Sequence, residues 1–278
     1  MKVLITGADG FIGKELSAKL KEKNFTIISA SRINGINLTK WDIVKAIDSV
    51  DVIIHLAAKT SVQESFLNPR EYYYNNLAST INTLELARIS KSKVIFLSSY
   101  FYGPPQYIPV DEVHPLSPHN PYSSSKLLSE EICKGYSRDH DVDSISLRLF
   151  NIYGKEQKGN FLIPDIINQI KSGKVILNDP RPKRDYIHIS DVINAIYNII
   201  KADFRGFDCF NLGTGESHSV EKIVNLIKKY CPDRFEFFFK NIKRRGEVLD
   251  SVADIKKIKK AFDWQPNIGI EEGIKLLF

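Results

Sequence analysis

The N-terminus of the chain joins three features that few folds accommodate together. Lys2 to Thr6 is an apolar run, Gly7-Ala8-Asp9-Gly10-Phe11-Ile12-Gly13 follows it at once, and helical spacing continues to Lys23. Glycines at this spacing permit a tight turn, a close approach of the backbone to a pyrophosphate, and close packing of a helix on a strand. The N–H groups and the positive dipole end of the helix favour the same anion. The sequence therefore predicts a dinucleotide-binding strand–turn–helix unit, with a purely structural turn as the alternative.

Short runs rich in Val and Ile alternate with helical stretches through the first half of the chain. The predicted strands are Lys2 to Thr6, Phe25 to Ala30, Asp51 to Leu56, Lys93 to Ser98 and Ser144 to Phe150. The predicted helices are Phe11 to Lys23, Glu71 to Ile89 and Tyr122 to His140. Strands that are almost continuously apolar are typical of a parallel sheet covered on both faces. The pattern predicts an α/β fold with a Rossmann-type doubly wound parallel sheet.

The alternation changes after Gly154, where prolines interrupt the chain and the elements become shorter. The helix Ile189 to Lys201 and the strand Cys209 to Leu212 are apolar enough to return to the first sheet. We therefore predict two interleaved domains rather than two consecutive ones. The dinucleotide-binding domain comprises residues 1–153 plus about 187–212, and a smaller C-terminal substrate lobe comprises residues 154–186 plus 213–278.

The composition excludes several classes of protein. With 278 residues, of which 43% are hydrophobic, the chain can bury a sizeable core, so a disordered chain or a small disulfide scaffold is excluded. The net charge of +6 favours an anionic partner, such as nucleic acid, an acidic membrane or a phosphorylated small molecule. The basic stretch 240–260 is interrupted by acidic residues and carries no recognition motif. We therefore predict a solvated surface there and no nucleic-acid partner.

The cysteines and the apolar runs predict the compartment. Cys133, Cys209 and Cys231 are an odd number, lie far apart and lack the spacing of a metal site, so we expect a reducing environment and no metal. No run approaches the ~20 apolar residues of a membrane span. We therefore expect a cytoplasmic protein without a membrane partner.

The end of the second predicted strand indicates which dinucleotide to expect. In a dinucleotide fold, an acidic side chain at this point binds the 2′-OH of NAD. Ser31 and Arg32 occupy it here, and no carboxylate lies between Phe25 and Leu38. Because a hydroxyl beside a guanidinium suits a 2′-phosphate, we favour NADP(H). NAD(H) remains the alternative, as does an exposed arginine that binds no ligand.

Two tyrosines precede a lysine by four residues, which places both side chains on one helix face. Tyr122 and Lys126 lie at the start of a predicted helix, whereas Tyr197 and Lys201 lie in mid-helix among isoleucines. A nearby ammonium lowers the pKa of a phenol and makes it a candidate acid or base. Tyr122 is therefore a candidate catalytic residue, and Tyr197 is predicted to be core. Ser98, at the end of the fourth strand, is either a ligand for the reacting oxygen or an ordinary turn serine.

Several segments, taken in order, resemble the extended short-chain dehydrogenases. They are the glycine string, His55-Leu56-Ala57-Ala58, Ser98-Ser99-Tyr100-Phe101-Tyr102-Gly103, the pair Tyr122 and Lys126, Arg148-Leu149-Phe150-Asn151-Ile152-Tyr153-Gly154, Arg184-Asp185-Tyr186-Ile187-His188, Asn211-Leu212-Gly213-Thr214-Gly215-Glu216 and Arg244-Arg245-Gly246-Glu247. The branch that they resemble is the NAD-dependent epimerase/dehydratase family, which acts on nucleotide sugars. The resemblance implies a nucleoside diphosphate sugar as substrate and a homodimer formed through the helices 71–89 and 122–140.

The resemblance also implies which residues contact the dinucleotide. It assigns the pyrophosphate to Gly7, Gly10, Phe11, Ile12 and Gly13, and the adenosine ribose to Ser31 and Arg32. The other cofactor contacts that it implies are Asn37, Leu38, Leu56, Ala57, Ala58, Lys59, Asn76, Tyr122, Lys126, Phe150 and Ile152. Asn37-Leu38 departs from the Asp-Leu that relatives often carry near the adenine.

Ser98, Tyr122 and Lys126 match the catalytic trio of that family. The resemblance implies that Lys126 binds the nicotinamide ribose and lowers the pKa of Tyr122. Tyr122 would then exchange a proton with the sugar oxygen, which Ser98 holds in place. The implied substrate contacts are Ser98, Ser99, Tyr100, Asn151, Phe161, Arg184 and Arg244, with the two arginines facing the diphosphate.

Departures from the family pattern narrow the expected reaction. Ser98 is followed by Ser99 and Tyr100, where the 4,6-dehydratases carry an Asp-Glu pair, so dehydration is not expected. The loop between Gly154 and Arg184 is shorter than in typical UDP-glucose 4-epimerases, and Arg32 favours NADPH. We therefore expect an NADPH-dependent reduction of a nucleotide-linked 4-keto sugar. The alternatives are epimerisation at C4 with tightly bound NAD and a redox-inactive NADP-binding regulator.

Overall fold

The computed structural model describes residues 1–159, 161–243 and 247–278. The strands in these ranges are β1 (Lys2–Thr6), β2 (Thr26–Ala30), β3 (Val52–His55), β4 (Lys93–Ser99), β5 (Ser144–Leu149), β6 (Asn151–Tyr153), β7 (Lys174–Leu177), β8 (Lys183–His188), β9 (Phe207–Leu212), β10 (Ser217–Ser219) and β11 (Glu236–Phe239). The helices are α1 (Phe11–Glu22), α2 (Trp41–Val44), α3 (Val62–Leu67), α4 (Pro69–Ser90), α5 (Pro121–His140), α6 (Leu162–Ile170), α7 (Ile189–Lys201), α8 (Val220–Tyr230), α9 (Lys256–Phe262) and α10 (Ile270–Lys275).

Six strands form one sheet in the order β2-β1-β3-β4-β5-β9. The registers from β2 to β5 are parallel, with Ile5 opposite both Ser29 and Ile54. The chain winds from β1 to β2 on one side and from β3 to β5 on the other, so the carboxyl ends of β1 and β3 flank a switch point. The predicted doubly wound Rossmann-type sheet is confirmed, and β9 returns to its edge as predicted.

The predicted elements of this sheet and its helices end within two residues of the observed ones. The helix starts differ because Pro69 and Pro121 occupy the first helical turn, where a missing N–H costs nothing. Asn120 and Ser123 form a reciprocal capping box that begins α5. The inner strands β1, β3, β4 and β5 are mostly buried, as expected for a sheet covered on both faces, and all four residues of β3 are buried.

The described residues group into two compact units. The first comprises Met1–Phe101, Pro118–Leu149 and Ile193–Phe210, and the second comprises Tyr102–Ser117, Phe150–Val192 and Asn211–Phe278. The predicted division assigned residues 102–117, 150–153, about 187–192 and 211–212 to the first domain, whereas the structure groups them with the second. The backbone explains this difference, because Val110 donates to the Val252 carbonyl at 2.8 Å and Phe150 to the Leu212 carbonyl at 3.0 Å.

A buried carboxylate organises the second unit, which holds the sheets β10-β8-β6 and β11-β7. Asp185 accepts hydrogen bonds from the N–H groups of Thr214, Gly215 and Ala253, at 2.8, 3.0 and 3.2 Å. Its oxygen would lie only 2.6 Å from a Cβ at Gly213. This carboxylate therefore joins β8 to two distant loops, and the close approach requires glycine at position 213.

No helix in the described ranges combines the length and the apolar character needed to cross a membrane. Cys133, Cys209 and Cys231 are free. The cytoplasmic location stays a prediction.

Candidate active site

The turn after β1 is packed tightly around its glycines. Gly7 has a φ of 68°, and a Cβ there would lie 3.0 Å from the Cα of Ala57. A Cβ at Gly13 would lie 2.4 Å from the Gly7 carbonyl oxygen, so only glycine lets α1 approach β1 this closely. The N-cap residue of α1, Gly10, offers no side-chain acceptor, and the first turn holds no acidic residue. The turn is therefore a cradle suited to a pyrophosphate.

A cleft of about 230 Å³ opens beside this turn, at the carboxyl ends of β1, β2 and β3. The predicted cofactor contacts that line it are Gly7, Ser31, Arg32, Asn37, Leu38, Ala57, Ala58, Lys59 and Asn76. The lining residues that sequence reasoning missed are Ala30, Ile36, Thr39, Asn75 and Ser79. Helical spacing from Asn76 could have indicated Ser79, because residues three apart share a helix face.

The two side chains expected to bind a 2′-phosphate have protein partners. The Ser31 hydroxyl donates to the carboxylate of Asp9, and the Arg32 guanidinium donates to the Asn75 Oδ1 at 2.5 Å. Asn34 accepts the Ser31 N–H at 2.8 Å and holds the turn that follows β2. Sequence reasoning missed Asp9, because Asp9 and Ser31 are 22 positions apart.

Thr6 joins the ends of β1 and β3 beside the cleft. Its hydroxyl oxygen accepts the N–H groups of Leu56 and Ala57 at 3.1 and 3.2 Å, and it lies 2.8 Å from the Nδ1 of His55. The His55 Nε2 lies 3.2 Å from the Thr80 hydroxyl. Burial, assisted by the charge of Lys126, lowers the pKa of His55 to about 3. His55 is therefore a neutral positioning group for the loop after β3.

Asn76 connects that loop to α5. Its Oδ1 accepts the Lys59 N–H at 2.8 Å, and its Nδ2 donates to the Lys59 carbonyl at 3.2 Å. The same Nδ2 donates to the Ser125 hydroxyl at 2.8 Å. Because Ser125 immediately precedes Lys126, Asn76 fixes the cleft wall and the helix of the candidate lysine together.

The structure places Ser98, Tyr122 and Lys126 in the first unit, at the end of β4 and in the first turns of α5. The Ser98 hydroxyl is buried and has no hydrogen-bond partner in the described part of the chain. A buried hydroxyl without a partner is costly, so Ser98 marks a position at which a ligand oxygen would be stabilised.

Burial determines the pKa values of the tyrosine and the lysine. It raises the pKa of Tyr122 to about 12 and lowers the pKa of Lys126 to about 7. The expected lowering of the Tyr122 pKa by Lys126 is not found. The Lys126 ammonium instead lies 4.1 Å from the centroid of the Phe96 ring. At neutral pH the phenol therefore carries its proton and can act as an acid.

The sequence profile of the NAD dependent epimerase/dehydratase family matches residues 3–213, well over half of the chain. This chain belongs to that family. The predicted resemblance is confirmed, and the chain is an enzyme, as predicted. Its residues fit a nicotinamide dinucleotide, because the cradle at Gly7 and Gly13 leaves no space for a Cβ and the Ser98 hydroxyl lacks a partner in the described residues.

Relatives align with nearly the whole of this chain. A candidate UDP-glucose 4-epimerase of Methanocaldococcus jannaschii is 34% identical over 98% of this chain and 96% of the relative. The UDP-glucose 4-epimerase of Bacillus subtilis is 30% identical over 98% of this chain and 94% of the relative. The solved UDP-glucose 4-epimerase of Thermotoga maritima with UDP-glucose has a TM-score of 0.92 and 25% identity, and covers 100% of this chain and 97% of its own.

Two of the predicted substrate contacts, Asn151 and Arg184, also have protein partners in the second unit. The Asn151 Nδ2 donates to the Asp185 carbonyl at 3.1 Å. Arg184 donates to the Val248 carbonyl at 2.6 Å and forms an ion pair with Glu247. The guanidinium is therefore held by a carboxylate that a diphosphate would have to displace or share.

The remaining predicted contacts differ in exposure. Phe161 is exposed, Phe150 is buried, and Ile152 and Tyr100 are half-buried. Arg244 lies outside the described residues.

Proposed function

We propose that this chain epimerises the C4 hydroxyl of the sugar in a nucleoside diphosphate sugar, with a nicotinamide dinucleotide that stays bound through the cycle. The observation that carries the proposal is the buried Ser98 hydroxyl, which has no partner in the described residues and belongs to the same unit as Tyr122 and the glycine cradle. The two relatives at 34% and 30% identity are named as UDP-glucose 4-epimerases, which supports C4 as the reacting carbon.

The side chains divide the proton chemistry at the sugar oxygen O4. Ser98 donates a hydrogen bond to O4, and Tyr122 takes the O4 proton during oxidation and returns it during reduction. For Tyr122 to take a proton in the first step, the Lys126 ammonium would have to turn from the Phe96 ring toward the phenol, where its charge would favour the phenolate. The nicotinamide, when bound, supplies reversible two-electron transfer at C4. Oxidation and reduction cancel over the cycle, so the reaction needs no external oxidant.

We assign the two binding tasks to the two units. The first unit contains the glycine cradle and the cleft, which supports dinucleotide binding there. The second contains four of the residues that the resemblance assigns to the substrate, namely Asn151, Phe161, Arg184 and Arg244, which supports its role as the nucleotide-sugar lobe. Its Arg184 and Arg244 would bind the diphosphate.

A second candidate function is NADPH-dependent reduction of a nucleotide-linked 4-keto sugar. Two observations favour it: Tyr122 keeps its proton at neutral pH, as a reductase requires, and the Arg32 guanidinium lines the cleft. A reductase must take up a reduced dinucleotide at each turnover, whereas an epimerase retains one. Whether the purified protein carries a bound dinucleotide therefore distinguishes the two functions.

The decisive experiment incubates the purified chain with UDP-galactose, without added cofactor, and follows UDP-glucose by proton NMR. The Tyr122→Phe variant should lose on the order of 100-fold to 10,000-fold in kcat. Tyr197→Phe is the matched control, because Tyr197 also precedes a lysine by four residues but packs edge-on against Phe25. Protein that interconverts no UDP-hexose, yet oxidises NADPH with a nucleotide-linked 4-keto sugar, would establish the second candidate instead.

We also propose a homodimer formed through α4 and α5. These helices leave apolar side chains exposed, namely Tyr74, Ile81 and Ile89 on α4 and Leu128 on α5. Light scattering should report twice the 31.7 kDa of one chain. Ile81→Glu should reduce that mass, and a monomeric wild-type chain would contradict the proposal.

A further inference from the structure

The structure brings a carboxylate to the end of β2, where the sequence itself carries none. Asp9, in the turn between β1 and α1, accepts a hydrogen bond from the hydroxyl of Ser31, the residue that directly follows β2. We propose that Asp9 determines the cofactor preference of this chain by binding the adenosine ribose hydroxyls and excluding a 2′-phosphate, so that NAD(H) is selected. The inference deepens the proposed function, and rests on it only for the presence of a dinucleotide.

Asp9 and Ser31 lie where the adenosine ribose of a dinucleotide is expected. Ser31 lines the cleft, and the end of the second strand is where dinucleotide folds bind the adenosine ribose. An acidic side chain in this place accepts the 2′-OH of NAD. Asp9 is exposed, and a carboxylate has about four acceptor sites, so it can bind Ser31 and a ribose hydroxyl at the same time.

Ser31 and Arg32, the hydrogen-bond donors that a 2′-phosphate would need, already have protein partners. The Ser31 hydroxyl has one proton, and both of its acceptors, Asp9 and Asn34, are protein groups. Arg32 donates to Asn75, which itself donates to the Glu71 carbonyl at 2.7 Å. The Ser31 hydroxyl proton is therefore already used within the protein, and a 2′-phosphate would have to share the Arg32 guanidinium with Asn75.

The charges at the ribose end of the cleft also disfavour a 2′-phosphate. A phosphate monoester carries a charge of about −1.5 to −2 at neutral pH. The cations at this end of the cleft have a protein carboxylate beside them, because Lys59 forms an ion pair with Glu71 and the charge of the exposed Arg32 also acts on Glu71. Coulomb energy falls with distance, so the carboxylate in contact with Ser31 dominates at the ribose position. NAD(H), which has a hydroxyl there, avoids this repulsion.

The test is a binding measurement on the full-length chain after charcoal treatment has removed any carried nucleotide. Isothermal titration with NAD⁺ and NADP⁺ gives the ratio of the two dissociation constants. Wild-type protein should bind NAD⁺ at least about tenfold more tightly, and Asp9→Asn should shift the ratio at least about tenfold toward NADP⁺. The asparagine keeps an acceptor for Ser31 and removes only the charge.

A matched control separates local from general charge effects. Asp48 is an exposed aspartate paired with Lys2, at the opposite end of β1 from the glycine turn. Asp48→Asn makes the same change in net charge and should leave the ratio of dissociation constants unaltered. If Asp9→Asn does not fold, as judged by its melting curve, Asp9→Ser removes the same charge and replaces it in the titration.

The Arg32→Ala variant tests the opposite assignment, in which Arg32 binds a 2′-phosphate and selects NADP⁺. If Arg32 binds a 2′-phosphate, wild-type protein prefers NADP⁺ and Arg32→Ala loses that preference, which overturns the inference. An unchanged ratio in Asp9→Asn overturns it as well. Neither result depends on turnover, so a chain that prefers NADP⁺ and still interconverts UDP-sugars contradicts only this inference. A chain that binds NAD⁺ without epimerising contradicts only the proposed reaction.

Discussion

Arg148 and Glu130 form an ion pair inside the first unit, where their side chains are only 5% and 3% exposed. Glu130 also accepts a hydrogen bond from the Ser146 hydroxyl at 2.8 Å, and the Arg148 guanidinium lies 5.2 Å from the centroid of the Phe101 ring. Glu130 lies one helical turn after Lys126 on α5. The pair therefore fixes β5 to the part of the helix that carries the candidate catalytic lysine.

Breaking this pair should destabilise the protein strongly. Glu130→Ala leaves a buried guanidinium without its carboxylate, which costs roughly 3–5 kcal/mol in the free energy of unfolding. Urea denaturation measures the loss. Asp139→Ala is the control, because Asp139 forms an exposed ion pair with Arg138 at the end of the same helix and should have little effect. Equal losses in the two variants would contradict this account.

Adding a methyl group at Gly13 and at Gly135, two glycines of the first unit, should change the free energy of unfolding in opposite directions. Gly13→Ala places a Cβ against the backbone of Gly7 and Ala8, so it should cost about 1–3 kcal/mol and weaken dinucleotide binding. Gly135→Ala, within α5, meets no atom within 4 Å and should stabilise the helix by about 0.5–1 kcal/mol. Melting curves with and without NAD⁺ check both values. A neutral Gly13→Ala would show that the turn can relax.

The buried lysine should make stability depend on pH. Lys126 has a pKa of about 7 in the folded chain and about 10.4 when unfolded, so the unfolded chain holds an additional proton between these values. The free energy of unfolding therefore rises with pH in this window. Compared with Lys126→Met, wild-type protein should gain about 2 kcal/mol between about pH 7.5 and about pH 9.5. Lys126→Arg, whose guanidinium stays charged, should not reproduce this gain.

Replacing Asn76 should lower the free energy of unfolding more than replacing its neighbour Asn75. Asn76→Ala leaves both backbone groups of Lys59 and the hydroxyl of Ser125 without their partner, which costs roughly 1–3 kcal/mol and loosens the cleft wall. Asn75 is half-exposed and can exchange its hydrogen bonds for water, so Asn75→Ala should cost less. Thermal unfolding and NAD⁺ titration of both variants test this order, and the reverse order would refute it.

Much of the first unit was predictable from local patterns. The glycine string from Gly7 to Gly13 and the apolar strand before it predict both the turn and its ligand, because Gly13 is required by its contact with Gly7 in the same turn. Ser98 and Tyr122 were predictable as candidates because strand ends and helix starts are visible in the sequence. The boundary of the second unit was less predictable from the sequence. It depends on the hydrogen bond from the Val110 N–H to the carbonyl of Val252, which is 142 positions away by sequence number.

The sequence by itself determined the α/β fold, the order of its elements, the dinucleotide cradle and the family, since these depend on periodicity and on spacing within single segments. The tertiary structure alone decided the partners of the charged and polar side chains. It placed Asp9 on Ser31 and directed Lys126 to the Phe96 ring rather than to the Tyr122 phenol. Such pairings depend on how separate segments pack, and a pKa or a cofactor preference depends on distances of a few ångströms between them.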